Sequence, residues 1–256
     1  MNALLTSLLV LVVVMAGAIV GASVGKRLPV NHLSDASKDI VKFGTGFIAT
    51  MAALVLGLLV ASAKGSYDAK AAEIQQAAAK VILIDQILRQ YGPEAKPARE
   101  MLRALLIQRQ SMAWVTSETA AVAEGKAKGA SSELRPDVLR NTIAALIPAN
   151  DAQRSLQGRS LQTIDDFMQM RWLFIAQSTD RISTPLLVAL VVWLTTIAFC
   201  TGLYAPHNAT VAVVGLLCAV SVSAAIFLII EMYEPFSGIL RISDAPLRTA
   251  LGYLSN

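Results

Sequence analysis

The chain has 256 residues, a net charge of +4 and a mean hydropathy of +0.55, and only 16% of its residues are charged. That is far below the quarter typical of soluble domains, which excludes an ordinary soluble globular protein. The mild basic excess does not point to nucleic acid: no run of Lys and Arg exceeds two, and mid-chain bases alternate with acids, so no nucleic-acid partner is expected.

The apolar excess is concentrated in four uncharged stretches, residues 1–25, 43–63, 182–206 and 208–230. Each has the roughly 20 residues needed to cross a hydrocarbon core of about 30 Å. The first is predicted as a helix over residues 3–24, ending at Gly25-Lys26-Arg27. Its start carries no positive charge and its apolar run is long, so a retained helix is expected rather than a cleaved leader. A loop with Pro29, Asn31 and His32 follows, and Ser34 or Ser37 is the candidate N-cap of the next helix.

The second span, residues 43–63, is rich in small residues. At about 100° per residue, Gly46, Thr50, Ala53 and Gly57 share an arc of roughly 60°. Phe47, Met51, Leu54 and Leu58 form a bulky stripe about 90° away. A small face lets another helix approach closely, which is how membrane helices associate without a hydrophobic drive between them. The partner could be another helix of the same chain or the same helix of further copies around an axis.

Residues 64–181, about 118 in all, hold most of the charges and are long enough for a core of their own. Apolar spacing predicts a helix over residues 66–90, with Tyr67, Ala71, Ile74, Ala78, Val81, Asp85 and Leu88 on one face. Gly92-Pro93 stops it. A second helix is predicted from about residue 93 to 123, a loop at 124–129, a short helix over 135–147 ended by Pro148, and a long helix capped by Asn150-Asp151. Asp165-Asp166 reads as solvated charge, because adjacent helical carboxylates face different directions.

Ser183-Thr184-Pro185 is a helix-start signature and opens the third span. The tight turn 205–208 leads into the fourth span, and a short helix over residues 246–254 closes the tail. Cys200 and Cys218, inside the last two spans, read as small buried hydrophobes without metal-ligand spacing. The fold class expected is therefore an all-α integral membrane protein. Its parts are a transmembrane hairpin (1–63), a helical extramembrane domain inserted between helices two and three (64–181), a second transmembrane hairpin (182–230) and a C-terminal tail (231–256). Lys64, Lys70, Arg171, Arg181, Arg241 and Arg248 flank the domain side, whereas the opposite side carries bases only in the first hairpin, at Lys26, Arg27, Lys38 and Lys42. By the positive-inside rule the middle domain and both termini are expected in the cytoplasm, with the chain multi-pass in the inner (plasma) membrane.

No catalytic residue, metal site or cofactor site is expected. His32 and His207 sit in hairpin loops, and the chain has no nucleophile elbow, Walker loop or metal triad. None of the spans has an ionisable residue in its interior, unlike proton-coupled transporters and pumps. Two classes remain: a passive pore built from several copies, where an apolar constriction gates by dewetting, or a non-conducting structural or regulatory membrane protein that binds a partner through its extramembrane helices.

Three stretches carry a family resemblance: NHLSDASKDIVKFGTGFIATMAALVLGLLVASAKGSY at 31–67, LIDQILRQYGPEAKPAR at 83–99 and EMYEPFSGILRISDAPLRTAL at 231–251. Together they resemble the bestrophin-like family of bacterial and plant membrane proteins, and more distantly the bestrophins. The bestrophins are pentameric ion channels with four membrane helices and a helical cytosolic domain between the second and third. The resemblance implies a homo-oligomer, possibly pentameric, in the lipid bilayer, with small ions as cargo. It implies a pore with an apolar neck on helix two, for which the bulky stripe of Phe47, Met51, Leu54 and Leu58 is the candidate lining; the small face of Gly46, Thr50, Ala53 and Gly57 is the candidate packing surface. Glu231, Pro235 and Phe236 resemble the start of the bestrophin turn after helix four, with Gly238 one residue late. The acidic run that binds calcium in bestrophins is replaced here by Ile239-Leu240-Arg241-Ile242-Ser243-Asp244, so no metal dependence is expected. Tyr233 stands where relatives often have an acidic residue.

Overall fold

The computed structural model describes residues 2–29, 34–114, 136–177, 183–206, 208–234 and 238–255, and these are mostly helical with no strand among them. In chain order the helices are α1 (Ala3–Gly25), α2 (Asp35–Tyr91), a 3₁₀ turn (Pro93–Ala95), α3 (Lys96–Trp114), α4 (Pro136–Ala144), α5 (Asp151–Gln177), α6 (Thr184–Tyr204), α7 (Ala209–Tyr233) and α8 (Ala245–Ser255). Four of them, α1, α2, α6 and α7, are long and apolar enough to cross a membrane. The chain divides into two compact units, residues 1–67 with 181–234, and residues 68–180 with 235–256.

The largest departure from the expected elements is α2. Residues 43–63 and 66–90 were expected as separate helices, but one helix of 57 residues covers both. The polar change at Lys64 marks the end of the apolar block, not of the helix. Gly65 is a single glycine in open space, and no proline occurs between Pro29 and Pro93, so nothing breaks the backbone ladder. Ser34 begins the helix, its Oγ accepting from the Ser37 N–H at 3.3 Å. Gly92 ends it at φ 126°, a conformation suited to glycine.

In the first unit α1 packs against both α6 and α7, while the backbones of α6 and α7 have almost no close approach to each other. The α1–α6 seam is built on Gly17, Gly21 and Gly25. A Cβ at Gly21 would lie 2.9 Å from the Phe199 carbonyl carbon, and one at Gly17 would lie 3.0 Å from the Thr195 oxygen. From the other side, a Cβ at Gly202 would meet the Ala18 backbone. On the α7 side, the buried Ser223 hydroxyl donates to the Ser7 carbonyl at 2.6 Å, a polar tie that lipid cannot replace. Val10 and Val14 of α1 and Ile226 and Ile230 of α7 are buried together in one apolar cluster.

The second unit has its own core. Val81, Ile84 and Leu88 of α2 pack with Leu102 and Leu106 of α3, Ile143 of α4 and Ile164 of α5. The tail contributes to the same core: Leu247, Ala250 and Leu254 of α8 are buried in it. Asp85, on the face expected to be apolar, is buried at 3% exposure. Arg99 holds it with Nε 2.7 Å from Oδ1, and Arg89 with Nη2 3.2 Å from Oδ2. Arg89 also donates to the Tyr253 carbonyl at 3.3 Å, so one cation ties α2 to the end of α8. Two of the sequence stretches behind the family resemblance thus meet in one core. Asn150 caps α5 as expected, accepting from the Gln153 N–H at 2.8 Å, and the Gln153 side chain in turn binds the free Tyr91 carbonyl at 2.8 Å.

Candidate functional site

The first part of α2 has three faces, roughly a third of a turn apart. One packs inside the chain: Ala52, Leu59 and Ala63 are buried, and Val55 and Leu56 join them against Leu190, Trp193 and Ile229 of α6 and α7. The Ser62 hydroxyl lies 2.9 Å from the Tyr233 hydroxyl and adds a hydrogen bond between α2 and α7. That bond gives Tyr233 a role no sequence pattern suggested.

The second face is the small-residue one. Gly46, Thr50, Ala53 and Gly57 are all exposed, and a Cβ at Gly46 or Gly57 would meet nothing within 4 Å. No helix of the same chain closes on this face among the described residues. Thr50 satisfies its own hydroxyl by donating to the Gly46 carbonyl at 3.0 Å, so the face presents no unmet polar side chain.

The third face is the bulky stripe. Phe47, Met51, Leu54 and Leu58 are 66%, 38%, 70% and 59% exposed within the chain. The stripe continues toward the helix start through Phe43 and Ile40, at the same three- and four-residue spacing. No charged residue occurs between Lys42 and Lys64. At the two ends the lysines are engaged: Lys42 lies 3.6 Å from Asp39, and the Lys64 ammonium sits 5.6 Å from the Tyr67 ring centroid. Chemically, this stripe can exclude water and contact apolar groups, but it has no fixed charge with which to select an ion.

The turn after α7 is described in part. Glu231 is buried, 7% exposed, in the last turn of α7, and Gly238 has φ 97°, which favours glycine. Arg241 Nε donates to the Gly238 carbonyl at 2.9 Å and closes the corner. Pro235 and Phe236 lie outside the described residues, as do the loop at 124–129, Asn31, His32 and His207. Among the described residues no group of three or more His, Cys, Asp or Glu is placed to hold a metal ion.

Other expectations meet simple outcomes. Asp165 and Asp166 face different partners, Arg140 at 2.6 Å and Lys80 at 3.4 Å. The hydrogen bond from Arg140 holds the Asp165 carboxyl below its ordinary range. Cys218 is exposed and Cys200 half-buried, so Cys218 is not the buried hydrophobe expected. The site that sequence reasoning missed is the Gly17, Gly21, Gly25 seam; its signal, glycine at every fourth position, is plain in the chain.

A family model described as a bestrophin-like domain matches residues 12–247, nearly the whole chain. The chain belongs to the bestrophin-like family. Neither the curated proteins nor the solved structures contain a match to it. The bestrophin-like match takes in the α1 glycine seam, all of α2, the Asp85 cluster and the turn after α7.

Proposed function

We propose that this protein is a homo-oligomeric passive ion channel, pentameric as in the bestrophins, with an apolar neck formed by the bulky stripe of α2. The observation that carries this reading is the pair of uncovered faces on one membrane-length helix. If the small face of α2 receives the neighbouring copy, the adjacent stripe of Phe47, Met51, Leu54 and Leu58 turns toward the axis. An uncharged neck of this kind discriminates by size and dehydration. Membership of the bestrophin-like family supports a channel over an enzyme, and the absence of ionisable residues between Lys42 and Lys64 fits passive flow better than coupled transport.

In this reading the chain is multi-pass in the plasma (inner) membrane, with the second unit and both termini in the cytoplasm. The bases at Lys64, Lys70, Arg241 and Arg248 support that orientation. The corner at Glu231, Pro235, Phe236 and Gly238 serves assembly and is not a calcium site, because the segment after it is not acidic.

The test is an ion-flux assay on the purified protein in liposomes, with empty liposomes as control. The parent is expected to pass small ions, and Met51→Ala or Phe47→Ala to raise the flux severalfold by widening the apolar constriction. Mutants with unchanged flux would place the stripe against lipid. Absence of flux above control, from protein shown to be intact and oligomeric, would sink the channel reading and leave a non-conducting partner-binding protein ahead.

A further inference from the structure

The first unit contains a second open feature, to which no residue of α2 contributes. Where α6 and α7 part around α1, an apolar groove of about 600 Å³ is left. Met15, Ile19 and Ala22 line it from α1, Thr201 from α6, and Gly215 and Cys218 from α7. Thr201 spends its hydroxyl on its own helix, 3.0 Å from the Ile197 carbonyl and 2.9 Å from that of Ala198, so it adds no free polar group. The groove begins at the α6–α7 turn, at Ala205, Pro206 and Asn208, and its lining on α7 runs from Thr210 to Val222. Twelve residues of helix rise about 18 Å, somewhat more than half of a hydrocarbon core of about 30 Å. The groove is therefore about one leaflet deep and opens at the membrane surface.

Charge stands at that opening. The groove-lining positions Met15, Ile19 and Ala22 continue, at the same helical spacing, to Lys26. The Lys26 N–H bonds to the Ala22 carbonyl at 3.3 Å, so the helical turn still holds there. Arg27 follows. Both side chains are exposed, and among the described residues neither has an ion-pair partner. No Asp or Glu occurs before Asp35, nor between Arg181 and Glu231. Asp35 and Asp39 engage their own lysines, Lys38 and Lys42. An apolar slot one leaflet deep with two uncompensated cations at its mouth is complementary in both shape and charge to one class of membrane component.

We propose that this groove binds one acyl chain of an anionic glycerophospholipid whose phosphate is held by Lys26 and Arg27. The site is independent of conduction and of oligomer number.

Cys218 reports occupancy, because it is exposed on the groove wall. In full-length Cys200→Ser protein in neutral detergent, alkylation of Cys218 by an uncharged maleimide is followed with phosphatidylglycerol, with phosphatidylcholine of the same chains, or with glycerol 3-phosphate. Phosphatidylglycerol is expected to protect Cys218 at a concentration roughly tenfold or more below that needed of phosphatidylcholine, the advantage two basic side chains give toward an anionic lipid. Glycerol 3-phosphate is expected to do nothing. Phosphatidylglycerol should also raise the melting temperature. Lys26→Gln with Arg27→Gln should reduce it to the level of phosphatidylcholine. Gly215→Leu should abolish the thermal effect of both lipids by filling the groove. A Cβ at Gly215 meets nothing within 4 Å, so that variant keeps its fold, and its own melting curve checks this. Equal protection by the two lipids would overturn the proposal. So would a lipid effect that survives both variants, protection by glycerol 3-phosphate alone, or protection that follows self-association without lipid.

Discussion

Helices α1 and α2 both carry faces of small residues at helical spacing, and the structure uses them in opposite ways. On α1, Gly17, Gly21 and Gly25 are closed: α6 lies so near that no side chain fits between the backbones. On α2, Gly46, Thr50, Ala53 and Gly57 are open: among the described residues, no other part of the chain comes within 4 Å of where a Cβ would stand at Gly46 or Gly57. Close approach between membrane helices gains van der Waals contact only where a partner is present. A closed small face is thus part of how the chain folds. An open one contributes nothing to the single chain and gains contact only when a second molecule arrives.

The contrast is tested most sharply by the same substitution on the two helices. Gly21→Leu forces a side chain into the Phe199 backbone, which cannot move without carrying α6 away. Overpacking usually costs about 1–3 kcal/mol, and backbone against backbone belongs at or above the top of that range, so we expect loss of folded protein in detergent, read by size exclusion and thermal melting. Gly57→Leu meets open space. The single chain should melt as the parent does, while the association constant for a contact between copies in mild detergent should fall by about tenfold, a change of about 1.4 kcal/mol, with a larger loss of oligomer than Leu58→Ala causes. If Gly57→Leu leaves oligomer mass unchanged, the open face looks onto lipid and the comparison loses its second half.

The second unit repeats the contrast with acids on α2. Asp85 is closed in by Arg99 and Arg89. Arg99→Ala removes the shorter of its two ion pairs while the carboxylate stays buried; because Arg89 still faces Asp85, the cost should lie at the low end of that for a broken buried pair, about 3 kcal/mol. Glu73 has no such enclosure: its Oε2 is buried without a hydrogen-bond partner among the described residues. Burial pushes its carboxyl above the ordinary range, with Lys70 opposing the shift. An acid whose pKa is raised on folding is penalised while ionised. The penalty is present above the folded pKa and relieved as pH falls through it toward the unfolded value. Melting temperature should therefore rise slightly over that acidic window in the parent and less in Glu73→Gln. A parent melt that falls monotonically there, with Glu73→Gln identical, would remove Glu73 from the account.

The legible parts of this molecule were those written in local composition. Four uncharged blocks announce four membrane-length helices because lipid tolerates no charge. Ser34, Gly92 and Asn150 mark helix ends because each meets a backbone need within three residues of itself. The continuity of α2 was not legible, since hydropathy reports where the apolar block ends and not where the helix does. Nor was the enclosure of Asp85. Arg89 is its neighbour by helical spacing, but Arg99 reaches it only after the chain has turned at Gly92. The docking of Leu247 and Leu254 into the core of the second unit is likewise a tertiary event. As for the candidate site, the residues of both α2 faces could be picked out by their period, but their openness could not, because a periodic pattern does not say which faces the rest of the chain will cover.

The smallest expected effects are also the ones that isolate the comparison from gross disruption. Alanine adds a single methyl group. At Gly17 that methyl would sit 2.8 Å from the Thr195 Cγ2 and 3.0 Å from its carbonyl oxygen; the side chain can rotate away, but the carbonyl belongs to the backbone of α6. Gly17→Ala should therefore destabilise, by about 1 kcal/mol, the low end of overpacking costs. At Gly46 the methyl meets nothing, and alanine is favoured over glycine inside a helix by up to about 1 kcal/mol. Gly46→Ala should leave the melting temperature of the single chain unchanged or raise it. At this chain length a difference of 1 kcal/mol corresponds to about 2–4 °C, so the two variants, melted side by side in a detergent that keeps the chain monomeric, should separate in opposite directions from the parent. A fall of the same size in both would mean that a helix closes on α2 within the single chain after all, and that the open face of α2 is not available to a neighbour.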